Sequence, residues 1–191
     1  MPRAPGDAAV RRAVRVVALA NLGYFGVEFA VALAIGSVAL STDSVDFLED
    51  AAVNLLILVA LGWTARRRAA AGVGLAGLLL VPAFATLWAL GHKLGRPVAP
   101  DALRLSATGA GALAVNLTCA VLLARVRGHA GSLTRAAFLS ARNDALANVA
   151  IVAAGLVTAA TRSAWPDLVV VLGIAALNVD AAREVHRAAL S

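Results

Sequence analysis

Cysteine is almost absent from this chain of 191 residues. The single one, Cys119, lies in an apolar stretch, which rules out a disulfide framework or a thiolate metal cluster and reads as a small buried side chain. Met1 to Val10 hold no apolar core of their own, so no cleavable signal peptide is expected. A basic face is missing too. The formal net charge is +6, yet the lysine and arginine residues are scattered at the ends of apolar stretches. That distribution excludes nucleic acid as a partner and fits a membrane topology. What remains is mostly apolar: hydrophobic residues make up 61% and mean hydropathy is +0.83, far above a soluble domain. At about 20 residues per crossing, the chain has room for six membrane helices and short loops.

The apolar stretches run from about Val14 to Ile35, Val38 to Trp63, Val73 to Leu90, Leu103 to Leu123, Ala136 to Ala160 and Asp167 to Val185. Arg66, Arg67 and Arg68 close the second, Pro82 is placed to kink the third, and Ser163-Ala164-Trp165-Pro166 turns the chain into the sixth. Arginine and lysine set the orientation. With both termini inside, twelve of the 17 basic residues are cytoplasmic and four are outside, Arg142 alone lying within a span. The expected fold is therefore an all-α membrane protein of six transmembrane helices with cytoplasmic N- and C-termini. Its parts are a cytoplasmic segment 1–13, a six-helix domain 14–187 and a short tail 188–191.

Two stretches break the apolar pattern. In the second span, Asp43, Asp46, Glu49 and Asp50 sit within eight residues. Facing lipid, four such charges would cost roughly 12 kcal/mol, so they face protein, water or a cation. At about 100° per residue, Asp43, Asp46, Asp50 and Asn54 form one narrow stripe, with Glu49 toward its edge. In the fifth span, Ser140, Asn143 and Asp144 are spaced i, i+3 and i+4. Counted from the cytoplasmic ends, Asp144 lies roughly 13 Å and Asp50 roughly 20 Å into the membrane. The two spans run antiparallel, so their polar groups can meet at mid-depth. Asp50-Ala51-Ala52-Val53-Asn54 also echoes Asp144-Ala145-Leu146-Ala147-Asn148, and paired polar breaks near the midplane mark transporter sites. Arg142 points about 160° away from Asp144; a guanidinium only donates, so an ion pair with Glu49 or Glu28 is expected for it. Asn21 and Glu28, seven residues apart, are expected to brace the first helix against the others, with a proton-path role as the alternative; Asn54 and Asn148 are expected to form hydrogen bonds between helices, and Asn116 to serve helix packing.

Asp46-x-x-x-Asp50 with Ser140-x-x-x-Asp144, the run Gly36-Ser37-Val38-Ala39-Leu40, and Trp165-Pro166-Asp167 resemble the cation diffusion facilitator family of divalent metal transporters. The resemblance covers about Val14 to Arg187. It implies cation efflux, in exchange for protons, through a tetrahedral site of Asp46, Asp50, Asp144 and the Ser140 position, and it implies a homodimer. Asn143 is the alternative fourth ligand. Many members carry histidine where Ser140 stands; an oxygen-only site leans toward harder ions, whereas imidazole favours zinc. The transported ion is thus zinc, manganese, iron, cobalt or cadmium, with no resident cofactor. The chain reads as a short form without the cytoplasmic C-terminal domain, multi-pass in a bacterial inner (plasma) membrane, and not an enzyme. The alternative is an integral membrane metal-dependent enzyme such as a lipid phosphotransferase. Asp43, Asp46 and Asp50 have a usable spacing for one, but no Asp-Gly and Ala-Arg constellation for a nucleotide phosphate accompanies them, and Asp144 is left without a role.

Overall fold

The computed structural model describes residues 5–60, 67, 84, 87–95, 97–126 and 131–174. These form helices α1 (Pro5–Ile35), α2 (Val38–Ala60), α3 (described over 87–95), α4 (Ala102–Val126), α5 (Gly131–Thr161) and α6 (described over Trp165–Ile174), with no strand among the described residues. The protein is an all-α membrane protein. Most of the expected third span, Arg66 and Arg68 beyond the second, Pro82, the end of the sixth span and the tail 188–191 lie outside the described residues. The first helix is longer than expected: it begins at Pro5, so residues 5–13 continue the span as helix. Proline suits that position because the first helical N–H groups have no partner to lose.

Ala8–Ile35, Ala102–Val126 and Ser140–Thr161 are long and apolar enough to cross a membrane. At 23 residues, α2 is about 34 Å long, enough for a hydrocarbon layer of about 30 Å. Its four carboxylates are what set it apart from the other three. The large apolar side chains left exposed, among them Leu19, Val27, Leu33, Leu117, Val121, Leu146 and Leu156, form a surface that suits lipid and not water.

The joints between helices are chemically defined. Gly36, at φ 65°, ends α1 in the left-handed conformation, and the Ser37 N–H returns to the Ala32 carbonyl at 3.1 Å, the bond that closes a Schellman turn. Ser37 then caps α2, its Oγ accepting from the Leu40 N–H at 3.2 Å. Asp101 caps α4 in the same way through the Arg104 N–H at 2.9 Å.

Helix α2 packs on α1, α1 on α4, α4 on α5 and α5 on α2. This ring allows close approach where residues are small. A Cβ on Gly109 would come 2.8 Å from Cγ2 of Ile151, and Gly111 lies against the hydroxyl of Tyr24, which donates to the Thr108 carbonyl at 2.6 Å. Two apolar clusters fill the ring. One gathers Ala32, Val38, Leu40, Leu105, Ala147, Ile151 and Val171; the other gathers Val14, Val17, Cys119, Leu123 and Ala141. On α1 and α4 the buried polar residues Asn21, Glu28 and Asn116 fall between these clusters in sequence, and on α5 Asn148 lies beside Ala147, at the edge of the first cluster that faces the second. The interior is thus a polar belt between two apolar plugs.

Candidate cation site

The belt is built mainly by α2 and α5. On α2, Asp43, Asp50 and Asn54 are buried, Asp46 is half-buried and Glu49 is exposed, as the helical wheel requires for a stripe with Glu49 at its margin. On α5, Ala141, Ala145 and Asn148 are buried, Ser140 and Asp144 are half-buried, and Arg142 and Asn143 are exposed. The inward face of α5 is therefore centred nearer Ala145 and Asn148 than a wheel through Ser140, Asn143 and Asp144 implies. Asn143 falls off its edge.

Asp50 is the hub. The Ser140 hydroxyl donates to its Oδ1 at 3.0 Å, and the Asn21 amide approaches its Oδ2 at 3.5 Å. Cys119 lies behind Asn21, its thiol 3.6 Å from Asn21 Oδ1, the small buried role expected of it. Ser140 is also within hydrogen-bonding reach of the Asp144 carboxylate, and Asp144 lies close enough to Asp50, Asp46 and Asp43 to feel their charge. One hydroxyl on α5 therefore stands between a carboxylate of α2 and one of its own helix. Toward the other apolar plug, the Asn148 amide donates to Asp43 Oδ2 and its oxygen accepts from Asn116 at 3.0 Å. This chain joins α4, α5 and α2, so Asn148 makes the interhelical bonds expected of it, and Asn116, expected only to pack, takes part in them. Asn54 instead donates to the Asp50 carbonyl of its own helix at 2.8 Å.

The structure thus brings together Asp50, Ser140 and Asp144, with Asp46 on the same stripe, and leaves Asn143 out. Among the described residues, no three His, Cys, Asp or Glu side chains are gathered as tightly as ligation of one ion requires. Arg142 does not form the ion pair with Glu49 or Glu28 proposed from sequence. It donates to Asn143 Oδ1 at 3.3 Å, while both oxygens of Glu28 are buried without a donor.

A second cluster was not foreseen. Lys93 donates to Asp167 Oδ2 at 2.8 Å and to the Gly36 carbonyl at 2.6 Å. Asp167 in turn accepts from the Ser37 hydroxyl at 2.5 Å and from the Val38 and Ala39 N–H groups at 3.0 and 3.3 Å. In the sequence Lys93 stands just past the third apolar stretch and Asp167 opens the sixth; in the structure Asp167 on α6 caps α2. A signal was present: Lys93 is the sole lysine in a chain whose other basic residues are arginine.

The Asn148 bridge gives a direct expectation. Asn148→Ala leaves Asp43 Oδ2 and the Asn116 amide without their partner and should lower stability in detergent by about 1–2 kcal/mol, read by thermal or denaturant unfolding.

A search of curated proteins returns no match to the chain. The family model described as the cation efflux transmembrane domain matches residues 14–191, the stretch that contains every polar contact above and all of the helices except residues 5–13 of α1. The chain belongs to the cation efflux, or cation diffusion facilitator, family, and is a metal cation efflux transporter of the membrane.

Proposed function

We propose that the protein is a proton-coupled antiporter that carries a divalent cation through the polar belt, with Asp46, Asp50, Asp144 and Ser140 as the residues that hold it. The observation that carries this reading is the Ser140 hydroxyl, 3.0 Å from Asp50 and within reach of Asp144. It ties the acidic stripes of two antiparallel helices at one depth. Three carboxylates and a hydroxyl offer oxygen alone, a donor set that favours hard ions such as manganese or iron(II) over soft ones.

The chemistry needs no covalent step. The hydroxyl holds two carboxylates of different helices in register. A dication is attracted by the net negative charge and displaces whatever protons the cluster holds, so metal and proton compete for the same oxygens. Closure of α2 on α5 completes the ligand set, and rocking of the helices exposes it to either side in turn. The setting is a bacterial inner membrane, and the working unit is a homodimer.

The test is uptake of zinc, manganese, iron(II), cobalt and cadmium into proteoliposomes with an imposed pH gradient. Metal entry that follows the gradient, with protons leaving, supports the reading; uptake insensitive to the gradient overturns the antiport.

A further inference from the structure

Glu28 is a buried acidic group of the belt that the reading above does not use. Its side chain is 0% exposed, as is that of Asp43, and neither Glu28 oxygen nor Asp43 Oδ1 meets an N–H or O–H donor. The two carboxyl groups lie within hydrogen-bonding reach of each other across the α1–α2 contact. Two carboxylates cannot hydrogen-bond unless a proton lies between them. Sealed from water, they also repel as anions.

We propose that Glu28 and Asp43 form a dedicated proton-carrying pair, separate from the metal-holding residues, that holds one proton in the metal-free transporter. A proton fits better than a second metal ion. A dication seeks four or more ligands, while the Asn148 amide presents its nitrogen, not its oxygen, to Asp43, with its oxygen already taken by Asn116. The groups around the pair are accounted for element by element. On α1, Tyr24 lies one turn away with its hydroxyl committed to the Thr108 carbonyl. On α2 the next acid is Asp46, on α4 the facing polar residue is Asn116, and on α5 they are Asn148 and Asp144.

Glu28 feels the charge of Asp46, and Asp43 that of Asp144. When a dication replaces negative charge on Asp46 and Asp144, the pair no longer needs its proton for neutrality and releases it. When the metal leaves, the proton returns. This inference deepens the antiport reading and rests on it for its role in transport, but the pair's occupancy can be tested without transport.

Glu28→Gln and Asp43→Asn each supply by covalent means the N–H donor that the proton otherwise supplies, so both variants keep the contact and should fold. Calorimetry with Mn2+ in buffers of differing ionisation enthalpy measures affinity and the protons released. Each variant should bind Mn2+ within about threefold of wild type while releasing about one proton fewer per metal. In infrared spectra of the metal-free protein at neutral pH, wild type should show a protonated-carboxyl band that Glu28→Gln/Asp43→Asn lacks. Unchanged proton release in both variants overturns the proposal, as does identical infrared absorption in wild type and the double variant. A second bound Mn2+ that Glu28→Gln removes overturns it as well. Wild-type vesicles that take up metal without moving protons refute the antiport alone, since the infrared band still decides whether the pair holds its proton.

Discussion

Proteoliposomes carrying Asp50→Ala are expected to take up no divalent metal above background, and those carrying Asp144→Ala likewise. The two substitutions remove carboxylates from opposite sides of the Ser140 hydroxyl, so each leaves half a site. Even loss of a residue that only orients a ligand costs about 10–100-fold in metal affinity, and loss of a ligand costs more. Their structural effects should differ. Asp50 accepts from both Ser140 and Asn21, so its removal strands two donors, each worth about 1–3 kcal/mol when buried. Asp50→Asn keeps the shape and much of the hydrogen bonding, yet should be equally inactive. A folded Asp50→Asn protein with normal uptake rejects the assignment of this residue to metal. The outward-facing Asn143→Ala serves as the control and should transport normally.

The second large effect is on stability. Asp167→Ala should destabilise the protein by about 3–5 kcal/mol, the usual result of leaving one member of a buried ion pair without its partner. Asp167 is 0% exposed and Lys93 only 8% exposed, so neither charge can turn to water in place. The reverse substitution should cost less. In Lys93→Ala, Asp167 still accepts from Ser37, Val38 and Ala39, whereas in Asp167→Ala the ammonium keeps only the Gly36 carbonyl and the Val38 and Ala39 N–H groups at the start of α2 lose their acceptor, a further loss of about 1 kcal/mol. Denaturant unfolding of the two variants in the same micelles measures the difference. Equal losses mean that the charge pair, and not the capping of α2, dominates.

The helices were legible from apolar periodicity because the membrane forces backbone hydrogen bonding inward and leaves few alternatives. The side-chain stripe on α2 was equally legible, since four carboxylates in eight residues can be satisfied on one face only. Residues on α5 were harder. Ser140, Asn143 and Asp144 span about 100° of the wheel, and which edge turned inward depended on Gly155 lying against Ser106 of α4 and on Ala141 joining Cys119 and Leu123 of α4 in one apolar cluster. No spacing within α5 contains that information. Glu28 was correctly placed inside, but its contact with Asp43 depends on the Gly36–Ser37 turn folding α2 back along α1. The capping by Asp167 was hidden for a related reason: the α2 groups it caps are more than 120 residues away in sequence, and a helix dipole alone accounts for an acidic residue at such a position.

That Lys93 is both the sole lysine and almost wholly enclosed gives the molecule a built-in chemical reporter. An amine-reactive reagent offered to the folded protein should leave Lys93 almost unmodified. An adduct located by mass spectrometry on the peptide containing Lys93 then counts how often the ends of α2, α3 and α6 that meet at Asp167 come apart. Its rate of appearance with and without metal would time that opening in the native membrane, with no engineered probe.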